Sequence, residues 1–423
     1  MKKISRRHAI GLGAAAMAAT VLPRSARAAF NYAAGGVNNI GRALIDFTIV
    51  NNSGSTEPAF LYMFGNTNPG TPKNNTYYLS DLKGNCTLFP VSTPGKTYGV
   101  KLTGQTTKAK FPQLDAVRIY IPFGKELVVD TTEDGIPGTI SADVAGTPNY
   151  DTLWDFVEAT WHDYVDHTIL HLNVTQVDAF GLAFKVEHSG FNPADPVSPL
   201  TIINGFDSNT ARANIFKDLT ALGAPWSQLI ISHAGQHLRA LMPLKSLDLG
   251  VFPKDQLDAY IAKTIAFYDS ATHNKLVFSF QGVNYTGQTT GGVFVFEPDK
   301  KVNAGGADTF TTTIPAPTTR NCYAQDIKAS PDDDPGKAIA AAMGASFLRS
   351  TLVFYPNAGF PVPQIDRSLY YQSAPICEYA KVIHKDGINN HAFCYGYDEV
   401  AGDAGGNRDV RNPTSMTLTI NGI

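Results

Sequence analysis

Between residues 40 and 190 the sequence alternates short apolar and aromatic runs with turn residues, and this cadence restricts the fold more than any other feature of the chain. ALIDFTIV, AFLYMFG, TYYLSDL, YGVKLTG, AVRIYIPFG and ELVVD follow one another, each rich in the β-branched and aromatic residues that suit a pleated, half-buried strand. Asn51-Asn52-Ser53-Gly54, Pro69-Gly70, Pro94-Gly95 and the stretch from Gly135 to Gly138 punctuate them as turns. No helix-period segment intervenes, so the expected architecture is an antiparallel sandwich or barrel. The 37 glycines, 26 prolines and 17% charged residues fit many short strands joined by turns.

Past the Pro-rich link from Asn192 to Pro199 the pattern changes. Ser208 can cap a helix through Ala211, Ile215, Leu219 and Leu222 that ends at Gly223. A second helix is expected from Lys254 to about Ser270, with Leu257, Tyr260, Ile261, Thr264, Ile265 and Tyr268 on its inner face. A third, Pro335 to Arg349, opens on a proline suited to the first turn and is Ala-rich. Strands such as LVFSFQGV and GGVFVFEP lie between them. About 395 residues follow position 28, more than one core usually serves. The expected division is a β domain of 29–195 plus 374–423 and an inserted mixed α/β domain of 196–373.

The first 28 residues read as an export signal and are set aside from the fold. Lys2, Lys3, Arg6 and Arg7 precede an apolar run from Ala9 to Leu22, and Ala26-Arg27-Ala28 offers small residues for cleavage. Ser5-Arg6-Arg7 is of the twin-arginine type, which implies export of a folded protein to the periplasm or the medium. The apolar run is shorter than the roughly 20 residues a membrane span needs, so no membrane association is expected after cleavage.

Chemistry concentrates in Trp154 to His188, WDFVEATWHDYVDHTILHLNVTQVDAFGLAFKVEH. At period two, Trp154, Phe156, Glu158 and Thr160 share one face, and Gln176, Asp178, Phe180 and Leu182 share another. Two carboxyl groups flanking a glycosidic bond are the minimum equipment for its hydrolysis, although strand carboxylates are more often solvated outer-face residues. VEAT followed by NVTQVDAFGLAF resembles the signature of glycoside hydrolase family 64. IDFTIVNNSG resembles that family's first barrel strand, AVRIYIPFGKELVV its RIY-type strand, and YAKVIHKDGINNHAFCYGYDEV its closing motif. The resemblance implies a mainly β fold, a thaumatin-like sandwich or barrel with the α/β lobe inserted to form a wide groove. It further implies an endo-β-1,3-glucanase with Glu158 as general acid and Asp178 as general base, acting by inversion on β-1,3-glucan.

The acid would need its proton held by aromatic neighbours such as Trp154 and Phe156, while Gln176 and Thr175 would keep Asp178 ionised. Thr160, Asn173, Thr175 and Gln176 are candidates for sugar hydroxyls, and Trp161 or Tyr164 for stacking on a pyranose face. Asp398-Glu399 resembles the family's acidic closing pair, either facing the cleft toward substrate or forming a surface turn. A non-catalytic glucan-binding protein on the same barrel is the alternative, since a fold does not fix a function.

The remaining constellations point elsewhere less well. His162, His167 and His171 with Asp163 and Asp166 suggest a metal, but HTILH has no Glu where a zinc protease needs one, and a loop and strand with exposed histidines is expected. Asp332-Asp333-Asp334 suits a helix N-terminus. Cys86, Cys322, Cys377 and Cys394 allow three pairings. Cys377 with Cys394, in neighbouring expected strands around a turn at Gly387, is the favoured pair. No CxxC, GxSxG or phosphate loop occurs. A net charge of −3 gives no reason to expect nucleic acid. The reading is therefore of a monomer needing no cofactor or metal.

Overall fold

The computed structural model describes residues 43–67, 75–92, 94–138, 140, 143–164, 166–353, 360–400 and 408–423. The expected export signal and the Pro69-Gly70 turn lie outside them. The chain is mainly β and divides into two compact units. The first holds the described residues up to Val174, Leu182–Asn204 and Arg408–Ile423. The second holds Thr175–Gly181 and the described residues from Gly205 to Val400.

A 12-stranded sheet builds the first unit. Asp195–Gly205 edges Phe184–Asn192, and this pairs with Arg408–Ile420. Thr168–Asn173, Leu153–Asp163, Asp115–Phe123, Phe60–Asn66, Thr76–Leu79 and Cys86–Leu88 then follow in that order. The Arg408–Ile420 strand serves two branches of the sheet. Its start, Arg408 to Arg411, pairs with Thr168–Asn173, while Ser415 to Ile420 runs parallel to Leu44–Asn51, which in turn pairs with Thr106–Pro112. The change of partner falls at Asn412, whose φ is 46°, followed by Pro413. A bend of this kind lets one strand turn the corner between two sheet faces.

Leu153–Asp163 is central to this unit, and its two faces differ. Leu153, Val157, Ala159 and Trp161 point into the core. On the other face Trp154 and Phe156 join an aromatic cluster with Tyr62, Phe64, Phe89 and Tyr120, the Tyr120 and Phe156 rings lying 5.1 Å apart. Each such buried side chain contributes about 1.5–3 kcal/mol, which pins the strand in register. From Glu158 onward that face turns polar and only partly buried. The strand also runs further than the sequence suggests, to Asp163.

The second unit contains a three-stranded sheet of Ala179–Phe180, Gln236–Leu241 and Ile230–His233, and a five-stranded one from Thr312–Pro315 to Phe360–Pro361. Helices Ala211–Ala221, Asp258–Phe267 and Asp334–Arg349 match the three expected segments within a few residues. Asp333 caps the last by accepting from Gly336 N at 2.8 Å, with Pro335 in the first turn.

Four expectations are corrected. ELVVD forms no strand and makes only the isolated bridge Val129 to Lys96. Residues 374–400 belong to the second unit, and the chain rejoins the first unit at Arg408. There YAKVIHK is not a strand but part of the helix Glu378–Asp386, whose Tyr379, Ala380, Val382 and Ile383 are buried as one helical face. Cys377 is the N-cap residue of that helix. It and Cys394 are free buried thiols, as are Cys86 and Cys322; burial pushes the Cys377 thiol up to about 12.

Candidate active site

Glu158 stands where the central strand's aromatic face becomes polar. Its ladder partners are Arg118 on one side and Asn173 on the other. Arg118 donates from Nη2 at 2.8 Å and from Nε at 3.1 Å, both to Oε1 of Glu158. The guanidinium lies 4.8 Å from the centre of the Phe156 ring, a cation–π contact that fixes its plane. The two side chains are 24% and 21% exposed, so the pair is accessible without being free in solvent. Among the described residues Oε2 of Glu158 has no hydrogen-bond partner. Asn173 Oδ1, across the ladder, is buried and unpartnered.

The next rung is Thr160, opposite His171, which is opposite Asp409. Thr160 Oγ1 accepts from Ala116 N at 3.1 Å, and His171 Nδ1 meets Asp409 Oδ1 at 2.6 Å. Beyond it His162 Nδ1 meets Asp115 at 3.1 Å, and His167 Nδ1 meets Asp166 at 2.6 Å. The three histidines are thus each engaged by a separate carboxylate. Tyr164 is 44% exposed, with one ring face covered by His167 at 4.9 Å; partial burial, with Asp409 and Asp115 nearby, pushes its hydroxyl up. Trp161, expected as a stacking platform, is 2% exposed and packs against Phe111. Because the strand continues unbroken past Thr160, alternation puts Trp161 on the face opposite Glu158.

In the second unit the segment around Asp178 is clamped on both sides. Thr175 and Gln176 are each 1% exposed, turned inward rather than toward a ligand. Gln176 N donates to the Phe393 carbonyl at 2.7 Å, and its carbonyl accepts from the Tyr379 hydroxyl at 2.8 Å. After Asp178, whose own carbonyl accepts from Met242 N at 3.1 Å, Ala179–Phe180 pairs with the Gln236–Leu241 strand. The Asp178 side chain remains 34% exposed and meets Lys245 Nζ at 3.3 Å. Where Thr175 and Gln176 are expected as the polar neighbours of Asp178, the ammonium of Lys245 stands beside it.

Asp398 does not face a cleft. It is 0% exposed, with His384 Nε2 at 2.8 Å and Arg349 Nη2 at 3.2 Å. Against the cost of burial, His384, Arg349 and the Cys394 N–H hold its carboxyl below the usual range. His384, Cys394 and Asp398 are also the one trio of ligand-type side chains gathered closely among the described residues. Asp398 there is already satisfied by Arg349, His384 and Cys394 N, so this trio reads as part of a buried hydrogen-bond network of the fold.

Glu399 behaves oppositely. Its Oε2 is buried without a partner, and burial, reinforced by Asp398, pushes its carboxyl up to about 7. The unfolded carboxyl titrates near 4.5, so the folded state keeps its proton through a window where the unfolded state loses it. Stability is then full below about pH 4.5 and declines until the loss is complete above about 7. Glu399→Gln is expected to melt a few degrees above the parent at pH 8 and level with it at pH 4. Equal melting temperatures at both pH values would refute this.

Two features of the site escaped the sequence. Arg118 is invisible as a partner of Glu158 because register is not written locally. Asp155, on the core face and 3% exposed, accepts from Leu182 N at 3.0 Å through Oδ2 and from Phe156 N at 2.8 Å through Oδ1. It ties the strand bearing Glu158 to the chain returning after Gly181.

Comparison with known proteins places these residues in a family. The family model for glycoside hydrolase family 64, described as β-1,3-glucanase, matches residues 43–420. A glucan endo-1,3-β-glucosidase of Cellulosimicrobium cellulans is 26% identical over 303 residues, 70% of this chain and 50% of the relative. One of Arthrobacter sp. (strain YCWD3) is 26% identical over 302 residues. The chain thus spans half the length of the curated relatives it matches. Among solved structures, a laminaripentaose-producing β-1,3-glucanase in complex with laminaritetraose superposes with a TM-score of 0.75 at 25% identity, covering 90% of this chain and 99% of the other. A GH64 β-1,3-glucanase domain from Clostridium beijerinckii shares the fold, with a TM-score of 0.68 at 21% identity and coverages of 90% and 98%.

Proposed function

Since the chain belongs to glycoside hydrolase family 64, we propose that it hydrolyses internal linkages of β-1,3-glucan, with Glu158 as general acid and Asp178 as general base in an inverting reaction. The observation that carries the assignment is the state of Glu158: a partly exposed carboxyl group on a polar sheet face, with Oε1 anchored by Arg118 and Oε2 unoccupied. A group that must hand a proton to a leaving oxygen needs one oxygen free and the side chain held. Thr160 and Asn173 flank it on the same face and are proposed to meet sugar hydroxyls, with the exposed Tyr164 as the aromatic contact. Asp178 carries the complementary requirement, an accessible carboxylate on a segment clamped at both ends.

Incubation with laminarin or curdlan should release reducing ends and short β-1,3-oligosaccharides. Retention of the protein on curdlan with no product would refute the hydrolase and support a binding protein.

A further inference from the structure

We infer that Arg118 is a positioning residue for the acid: it selects which oxygen of Glu158 carries the proton and fixes where that oxygen stands. A guanidinium offers only donors. With Nε and Nη2 both directed at Oε1, a proton on that oxygen would meet two N–H groups, so the acid's proton belongs on Oε2. The fork also sets the rotation of the carboxyl group, and Arg118 is itself held by the ladder register and the Phe156 ring. In the proposed step the proton on Oε2 passes to the glycosidic oxygen as its bond to the anomeric carbon breaks. The oxygen of a water bonds to that carbon and gives its proton to Asp178. Glu158 is left as a carboxylate whose Oε1 still accepts from Nε and Nη2 of Arg118. Both side chains are only partly exposed.

The inference rests on Glu158 being the acid, and the test separates the two claims. Hydrolysis of laminarin requires leaving-group protonation; hydrolysis of a β-1,3-glucosyl-oligosaccharide fluoride does not, because fluoride departs unaided. Arg118→Met should lower kcat on laminarin by about 10²-fold, the low end of general-acid contributions, with KM nearly unchanged and fluoride turnover retained. Arg118→Lys keeps the charge beside Glu158, and so the fold, but lacks the fork. It should fall between the parent and Arg118→Met on laminarin. Laminarin turnover by Arg118→Met within threefold of the parent, or equal loss on both substrates by the folded Arg118→Lys protein, would overturn the positioning role. Glu158→Gln measured in parallel distinguishes the failures. If it retains fluoride turnover while the Arg118 variants lose it, the acid stands and Arg118 falls. If it loses fluoride turnover, both claims fall.

Discussion

Glu158→Gln is expected to reduce kcat on laminarin by roughly 10³-fold or more, within the range for loss of general-acid catalysis, while leaving KM and the melting temperature close to the parent's. The amide has the shape of the carboxyl group, and its carbonyl can still accept from Arg118 where Oε1 does now. What it lacks is a proton to deliver from the Oε2 position. The ion pair is partly solvent-exposed, and such pairs contribute little to stability, about 0–1 kcal/mol. Folding should therefore survive, and the variant should still bind curdlan. Activity within tenfold of the parent would remove Glu158 from the acid role.

Features set by neighbouring residues are legible in the sequence, and those set by distant segments are not. The helix Asp334–Arg349 is legible because its acidic cap and first-turn proline act within four residues of each other. The strand bearing Glu158 is legible because alternation is a local property. Its end is not: the histidine-bearing stretch from His162 reads as a loop leading into a strand, yet the ladder to Thr168–Asn173 holds through Asp163, and Trp161 is buried on the face opposite Glu158. The helix Glu378–Asp386 was obscured by Val382 and Ile383, whose β-branching favours strand; their burial with Tyr379 and Ala380 on one helical face decides the outcome.

The chemistry divides in the same way. Motif context marks Glu158 and Asp178, but the side chains that meet them, Arg118 and Lys245, are supplied by distant segments. Asp398-Glu399 illustrates the limit further. Adjacent acids in one motif carry opposite environments, one paired with Arg349 and His384 and the other orphaned, and no one-dimensional pattern separates them.

Asp178→Asn is expected to lose turnover of laminarin and of the glucosyl fluoride alike, each by roughly 10²-fold or more. This double loss distinguishes the base from the acid, because activation of water is needed whatever the leaving group. The parent reaction should release the α-anomer first, since a water delivered to the face opposite the leaving group inverts the anomeric carbon. Inversion needs room for that water, with carboxyl groups about 6.5–9.5 Å apart, whereas a retaining pair stands about 5–5.5 Å apart. Directly opposed strand residues, with Cβ atoms about 4.5–5.5 Å apart, would suit retention. The residues opposite Glu158 are Arg118 and Asn173, so Glu158 faces no carboxylate across the ladder. The ammonium of Lys245 stands 3.3 Å from Oδ1 of Asp178, and a base at this position takes a proton from water on a carboxylate oxygen. A nucleophile would instead form an ester at that oxygen. An NMR time course showing the β-anomer first, or a glycosyl ester trapped on Asp178, would make Asp178 the nucleophile and replace inversion with retention.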